Sequence, residues 1–301
     1  MGEMLAGDWG TTNLRLWRVD DEGRVLARRQ FPHFGVSLIG ADEARRRFVE
    51  EIRPAMDAVG LPAALCGMVG SNLGWAPAPY VDDPLDVAAL VAGVARLEAG
   101  GPVTVVPGVR DRGFDGRGDV MRGEETQLFG WLALDPAANR GDWLVCHPGT
   151  HAKWMRVEAG RLMCFATAMT GEMYAVLGAH SILRWNGEGR AGPEFDDGVD
   201  AAGDGGALAA RLFSARGRQV GLGAAAESTA SFVSGLLIGA EVAATPALLG
   251  ADALEQVVLI GEASLCALYA RALERRGRRS RWIDGEAAAL AGLRAAAAAG
   301  V

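Results

Sequence analysis

The order of elements in this sequence predicts an α/β protein made of two similar halves, each with a mixed sheet, flanking a cleft. Three observations carry that prediction. A strand–turn–strand–strand run followed by alternating helix and strand occurs twice along the chain. The length, 301 residues, is about twice that of one ordinary domain. Glycine is abundant, with 42 residues, and gathers in short turns at strand ends rather than in a low-complexity linker.

The first half opens with an apolar strand over residues 4–8, ending in Asp8-Trp9-Gly10-Thr11-Thr12. Residues 13–19 alternate as the returning strand of a hairpin, and 24–30 supply a third strand. A helix follows over 41–59, then a buried strand at 63–69, a helix at 84–98 and a strand at 103–106. A loop rich in glycine and aspartate, 111–119, leads into a helix running through Leu134. Near 135–141 the pattern restarts. The strand 143–146 ends in Pro148-Gly149-Thr150, 153–157 returns, and 162–167 follows. Helices are expected over 172–184, 201–215, 228–249, 264–276 and 286–299, with short strands at 257–260 and 280–283. No Pro/Ser linker separates the halves, which divide at 1–140 and 141–301, so relative motion would be a hinge.

Half of the residues are hydrophobic and 22% are charged, the balance of a globular protein rather than a disordered one. With 30 basic and 37 acidic residues the formal charge is −7, which argues against a nucleic-acid or anionic-membrane partner. The best apolar run, 232–244, is cut by Ser234 and Glu241 and is short for a membrane span. The N-terminus lacks the basic start and apolar segment of a secretion signal. Cys66, Cys146, Cys164 and Cys266 are widely spaced with no Cys-x-x-Cys pair, which fits free thiols in a reducing cytosol. The expectation is a cytoplasmic protein. Lys153 is the only lysine among the 30 basic residues, at the edge of a Gly-Thr-His segment where a compact point charge has a use.

The chemistry gathers at the turns. In Asp8-Trp9-Gly10-Thr11-Thr12-Asn13-Leu14-Arg15 a carboxylate ends a buried strand and is followed by glycine and two hydroxyl residues. Such a turn offers backbone N–H donors to phosphate oxygens, while the carboxylate can organise a hydrated magnesium ion. Arg15 shares the face of Asn13 and can donate to phosphate. A second turn, His147-Pro148-Gly149-Thr150-His151-Ala152-Lys153, lies between strands in the same way. His147 and His151 do not converge at that spacing in an extended hairpin, so a zinc site is not expected. There is no Gly-x-Ser-x-Gly elbow and no P-loop. Gly221-Leu-Gly-Ala-Ala-Ala226 follows no strand and reads as a helix-flanking loop. The arginine cluster 271–281 reads as a solvated helix end, and Trp9, Trp17, Trp131, Trp143, Trp154, Trp185 and Trp282 as core.

Six segments occur in order: the Asp8–Arg15 turn, Gly67-Met-Val-Gly-Ser-Asn-Leu-Gly-Trp75, Met121-Arg-Gly-Glu-Glu-Thr-Gln-Leu128, Pro148-Gly-Thr-His-Ala-Lys-Trp154, Met169-Thr-Gly-Glu172 and Ser234-Gly-Leu-Leu-Ile-Gly-Ala-Glu-Val242. Together they resemble the 2-dehydro-3-deoxygalactonokinase family over nearly the whole chain. The resemblance implies the actin-like ATPase fold, in which two ribonuclease-H-like domains hold nucleotide in the cleft between them. It also implies ATP- and Mg2+-dependent phosphorylation of the C6 hydroxyl of 2-dehydro-3-deoxy-D-galactonate, a small sugar acid, in galactonate breakdown.

Residue roles follow from the resemblance. Asp8, Gly10, Thr11, Thr12, Asn13 and Arg15 form the first phosphate loop, with Asp8 holding Mg2+ through water. Gly149, Thr150 and Lys153 form the second. In this fold an aspartate normally leads that second loop, whereas here Pro148 precedes Gly149, which puts a second carboxylate contact in doubt. Gly261 and Ser264, in Leu259-Ile260-Gly261-Glu262-Ala263-Ser264, take the adenosine side. For the base that accepts the C6 proton Glu125 comes first, Glu124 second and Glu172 third, with Asp8 able to assist. Ser71, Asn72 and Trp75 are the expected contacts to the sugar acid, with Glu125 and Glu172 nearby and Arg122 pairing its carboxylate. Another acid-sugar or pantothenate-type kinase, and a nucleotide-dependent chaperone, filament or sensor, are the alternatives weighed; 301 residues leave no room for a separate chaperone substrate domain. The galacto or gluco preference stays open, as does a homodimer.

Overall fold

The computed structural model describes residues 2–298, in which fourteen strands form three sheets. Strands β1 (Met4–Trp9), β2 (Leu14–Val19), β3 (Val25–Phe31) and β4 (Ala63–Gly67) belong to the first sheet. Strand β5 (Tyr80–Asp82) lies apart, β6 (Ala95–Glu98) and β7 (Pro102–Val105) complete the first sheet, and β8 (Gly108–Asp111) and β9 (Asp119–Met121) join β5 in a small one. The first sheet has the order β3-β2-β1-β4-β7-β6. Its β1 is buried on both faces: Leu5 and Trp9 point to one cluster, Met4 and Ala6 to the other.

In the second half β10 (Asp142–His147), β11 (Ala152–Glu158), β12 (Arg161–Ala168), β13 (Gln256–Gly261) and β14 (Arg279–Asp284) run in the order β12-β11-β10-β13-β14. This repeats the first sheet's plan. In each, an antiparallel hairpin and third strand lie on one side of the leading strand, and a parallel strand lies on the other. The expected α/β class with two mixed sheets is the observed one.

The helices are α1 (Val36–Ile39), α2 (Ala41–Arg47), α3 (Arg53–Ala55), α4 (Val87–Ala92), α5 (Glu124–Leu134), α6 (Thr170–His180), α7 (Pro193–Ala201), α8 (Leu208–Leu222), α9 (Thr229–Leu248), α10 (Ala263–Arg275) and α11 (Gly285–Ala298). The predicted end of the last helix at Ala299 lies outside the described residues. Helices α5 and α11 sit between the sheets and share one core with both. Met4, Ala6 and Cys66 enter it from the first sheet, Val145, Val258 and Ile260 from the second. Their crossing is close because glycine allows it: a Cβ on Gly130 would lie 1.8 Å from the Ala288 carbonyl oxygen, and one on Gly292 would lie 2.1 Å from that of Thr126.

Four expectations need correction. The helix predicted over 84–98 is short, with Asp86 capping it through Ala89 N–H at 2.9 Å; residues 95–98 instead pair with β7 as an edge strand. The helix predicted over 201–215 is two helices, α7 beginning at Pro193 and α8 at Leu208, separated by a turn with Gly203 and Gly205 at positive φ. The helix over 41–59 passes through a π turn at Phe48–Ile52 and stops at Ala55. The loop 111–119 is flanked by the strands of the small sheet. A stretch over 226–248 also proves long and apolar enough, by length and composition alone, to cross a membrane; 72% of its most apolar window is buried in the fold as the core helix α9.

Candidate active site

Asp8 stands at the end of β1, between Arg15 on β2 and Cys66 on β4. Arg15 Nη2 donates to Asp8 Oδ2 at 2.8 Å. Burial raises the pKa of Asp8, opposed by Arg15 and by His147, while nearby Glu124 adds to the rise. Beyond Asp8 the turn is pinned from behind. Gly10 N–H donates to Asn13 O at 2.9 Å, and Gly35 and Ser37 donate to the carbonyls of Thr12 and Thr11. A Cβ on Gly35 would fall 1.9 Å from the Thr11 carbonyl oxygen, so glycine is required for this approach. The outer surface of the turn stays open: Thr11, Thr12 and Asn13 are exposed.

The second hairpin repeats the first with a longer turn, five residues between His147 and Lys153 against four between Trp9 and Leu14. Gly67, at the end of β4, packs its α-carbon against the Trp9 carbonyl, where a Cβ would sit at 2.8 Å. Gly261, at the end of β13, stands in the same relation to the Pro148 carbonyl, at 3.9 Å. Pro148 therefore occupies the place of Trp9, and His147, not Pro148, occupies that of Asp8. The second loop is led by an imidazole instead of a carboxylate. His147 Nε2 meets Gln127 Oε1 at 3.0 Å, and its Nδ1 is buried without a partner. Burial lowers its pKa, against the pull of Glu124 and Asp8.

Around the same loop, Gly149 has no heavy atom within 4 Å of an added Cβ, and Thr150 is exposed. Gly171 packs on the Gly149 carbonyl and Glu172 N–H donates to Thr150 O at 2.9 Å, so the start of α6 supports the loop. The Glu172 carboxylate pairs with His151 Nε2. This sets Glu172 beside the second loop, apart from the other two candidate glutamates. Lys153 is 5% exposed, and its Nζ donates to Thr167 Oγ1 at 2.8 Å; Thr167 in turn bonds Asp119. The ammonium is thus built into the sheet, contrary to the expectation of a free phosphate ligand.

Next to this loop opens a cavity of about 780 Å3, lined by Gly149, Thr150, Thr170, Tyr174, Ser264 and Tyr269 among others. Ser264 lies at the start of α10, where the Glu262 carboxylate accepts from Ser264 and Leu265 N–H, each at 3.0 Å. Glu262 is therefore the helix cap, and the Ser264 hydroxyl, followed by these two N–H groups, holds its pKa low. Neither Tyr174 nor Tyr269 carries a sequence signal that could have marked it. The Arg271–Arg281 cluster serves structure: Arg271 forms a two-pronged pair with Asp196 at 2.5 and 2.6 Å, and Arg281 reaches Asp135.

On the other side of Asp8, the Gly67–Trp75 segment meets Arg122. Trp75 is 8% exposed and packs 5.4 Å from Phe48 and 5.9 Å from Trp9, ring to ring, with its Nε1 buried and without a partner. Ser71 is a turn residue, its hydroxyl donating to Met68 O at 2.7 Å. Asn72 remains exposed. Arg122 lies over the Tyr80 ring and donates to Ala78 O at 3.0 Å, while its Nε and Nη1 are buried with no partner. Such orphaned cationic donors suit an anionic ligand group. Glu125 is fully buried. Its carboxylate accepts from Gly123 N–H at 2.7 Å and from the Thr126 hydroxyl at 2.9 Å, and burial pushes its pKa up to about 7. Glu124, partly exposed, accepts from Arg122 N–H at 3.1 Å and acts electrostatically on both Asp8 and His147. Of the two, Glu124 is the more accessible.

Comparison with known proteins agrees with this architecture. The model of the 2-keto-3-deoxy-galactonokinase family matches residues 8–296. The Escherichia coli 2-dehydro-3-deoxygalactonokinase is 33% identical, with 97% of each chain covered. A crystal structure of a candidate 2-dehydro-3-deoxygalactonokinase from Sinorhizobium meliloti superposes with a TM-score of 0.85 at 36% identity, covering 98% of each chain. The (R)-2-hydroxyglutaryl-CoA dehydratase component A of Acidaminococcus fermentans, at 15% identity and a TM-score of 0.51, shares the fold alone. The two glycine-turn hairpins, the cavity beside them and the near-complete match lead to one assignment: this chain belongs to the 2-keto-3-deoxy-galactonokinase family.

Proposed function

We propose that the protein is an ATP-dependent kinase that phosphorylates the C6 hydroxyl of 2-dehydro-3-deoxy-D-galactonate. The observation that carries the reading is the paired hairpin turns, each with exposed threonine, brought within electrostatic reach of one another through Asp8, His147 and Glu124. Residues 1–140 and 141–301 act as the two lobes, the first with the acceptor, the second with the nucleoside. Its setting is the cytoplasm, without a nucleic-acid or membrane partner.

The nucleoside occupies the cavity beside Ser264 and Tyr269, and the phosphates run between the turns at Gly10–Asn13 and Gly149–Thr150, met by backbone N–H and threonine hydroxyls. Asp8 and the orphaned His147 Nδ1 are the donors that fit a hydrated magnesium ion; when bound, magnesium neutralises charge on the phosphate oxygens. Arg122 holds the sugar-acid carboxylate, with Asn72 at its hydroxyls. Glu124 accepts the C6 proton as the oxygen bonds to the γ-phosphorus and the bond to the ADP oxygen breaks. Glu125 supports the loop that carries Arg122 and Glu124. Rate enhancement rests on positioning and charge rather than covalent chemistry.

The test is ADP release from purified protein with ATP, magnesium and an acceptor panel: 2-dehydro-3-deoxygalactonate, its gluconate epimer, pantothenate and no acceptor. Turnover that requires the galactonate derivative is expected. Release that ignores every acceptor would remove the sugar-kinase reading, and turnover with another acceptor alone would move the substrate.

A further inference from the structure

Glu241 lies in the middle of α9, is 6% exposed, and is not among the residues lining the cavity. Three elements converge on its carboxylate. Trp154 Nε1 of β11 donates to Oε1 at 2.6 Å and Tyr269 OH of α10 donates to Oε2 at 2.8 Å; burial raises the pKa of the carboxyl, and the nearby hydroxyl of Thr170, first residue of α6, works against that rise. None of these partners is charged. Burying a carboxylate on neutral donors is costly, and an apolar side chain would pack the same space at less expense. What the carboxylate adds is direction. Two of its partners, Thr170 and Tyr269, stand on different walls of the cavity. Thr170 also begins the segment that supports the second loop, through Gly171 on the Gly149 carbonyl and Glu172 N–H on Thr150 O.

We propose that Glu241 is a positioning residue that sets the spacing between the α6 and α10 walls of the nucleotide cavity, and through Thr170 the seat of the second loop. This rests on reading the cavity as the nucleoside site. Trp154, by contrast, ties the carboxylate to the sheet and reaches neither wall.

The experiment measures ADP–magnesium affinity by calorimetry, with KM and kcat, in Glu241→Gln, Tyr269→Phe and Trp154→Phe, alongside thermal melting. Glu241→Gln is expected to weaken ADP binding and raise KM for ATP about tenfold, the effect of a lost buried hydrogen bond, with kcat changed less than about threefold and KM for the sugar acid unmoved. Tyr269→Phe, which removes one hydroxyl and keeps the ring, should shift affinity in the same direction if Glu241→Gln fails to fold. Trp154→Phe should lower the melting temperature and leave ADP affinity alone. Unchanged ADP affinity in both Glu241→Gln and Tyr269→Phe, or a loss in Trp154→Phe as large as theirs, would overturn the proposal. Leu268→Trp, which fills the cavity, is the control on its premise: ADP affinity that survives it would refute the cavity reading itself.

Discussion

Asp8, half-buried, and Glu125, fully buried, are both carboxylates, yet their partners give them different uses. Asp8 has a guanidinium at 2.8 Å and a turn with exposed threonine ahead of it. Asp8→Ala is expected to lower kcat at least ~100-fold, the scale of losing a charge aimed at a reacting phosphate, as read by ADP release. Glu125 instead spends both oxygens on its own loop. Glu124→Gln should therefore cut kcat about 100-fold with KM for ATP nearly constant; equal kcat in wild type and Glu124→Gln would return the base to its neighbour. For Glu125 the expected effect is on stability. Its pKa rises from 4.5 to about 7 on folding, so between those values the unfolded chain releases a proton that the native state keeps. Its contribution is fully present below pH 4.5 and is lost as pH climbs through 7. Urea unfolding from pH 5 to 8 should show wild type losing stability relative to Glu125→Gln, and a pH-independent difference would contradict this.

At the scale of elements, contact decides where local pattern is ambiguous. The strand ends at Asp8 and at residue 146 were legible because apolar runs stop at Gly, Thr and Pro, residues that turn a chain for steric reasons. Residues 95–98 were not: Ala-Arg-Leu-Glu suits a helix as well as an edge strand, and only β7 selects between them. Glycines inside helices carry a related lesson. Gly130 in α5 costs helix propensity, yet it admits the Ala288 carbonyl of α11. Gly130→Ala is expected to destabilise the protein by about 1–3 kcal/mol, since overpacking against backbone outweighs the propensity gained. An unchanged or raised melting temperature would show that the crossing can relax.

Across the whole molecule, the halves are joined by more than the shared core. The small sheet reaches the edge of the second one: Asp111 Oδ2 accepts from Phe165 N–H at 3.0 Å, Asp119 Oδ2 from Thr167 N–H at 2.7 Å, and Leu85 bridges Leu162. These carboxylates satisfy the part-buried outer N–H groups of edge strand β12. Asp119 also completes the chain through Thr167 to Lys153, which gives the only lysine a place in this clasp. Asp119→Ala should lower unfolding free energy by about 1–3 kcal/mol, the cost of leaving buried donors unpaired. Urea unfolding with no change in midpoint would mean that the clasp contributes nothing.

The sequence by itself determined the α/β class, the doubled strand order, the two glycine turns and the family, because these are written in local patterns and in ordered motifs. Tertiary structure alone decided that His147 is the counterpart of Asp8, since equivalence between the hairpins is a matter of register against β4 and β13. It also decided that Trp75 joins Trp9 and Phe48 in the core, and that of two adjacent glutamates Glu124 is the more accessible. Neighbours along a helix differ by about 100° in direction, so one residue can face a cleft and the next the interior. Which is which depends on the surfaces packed around the helix, and those are assembled from residues far apart in the chain.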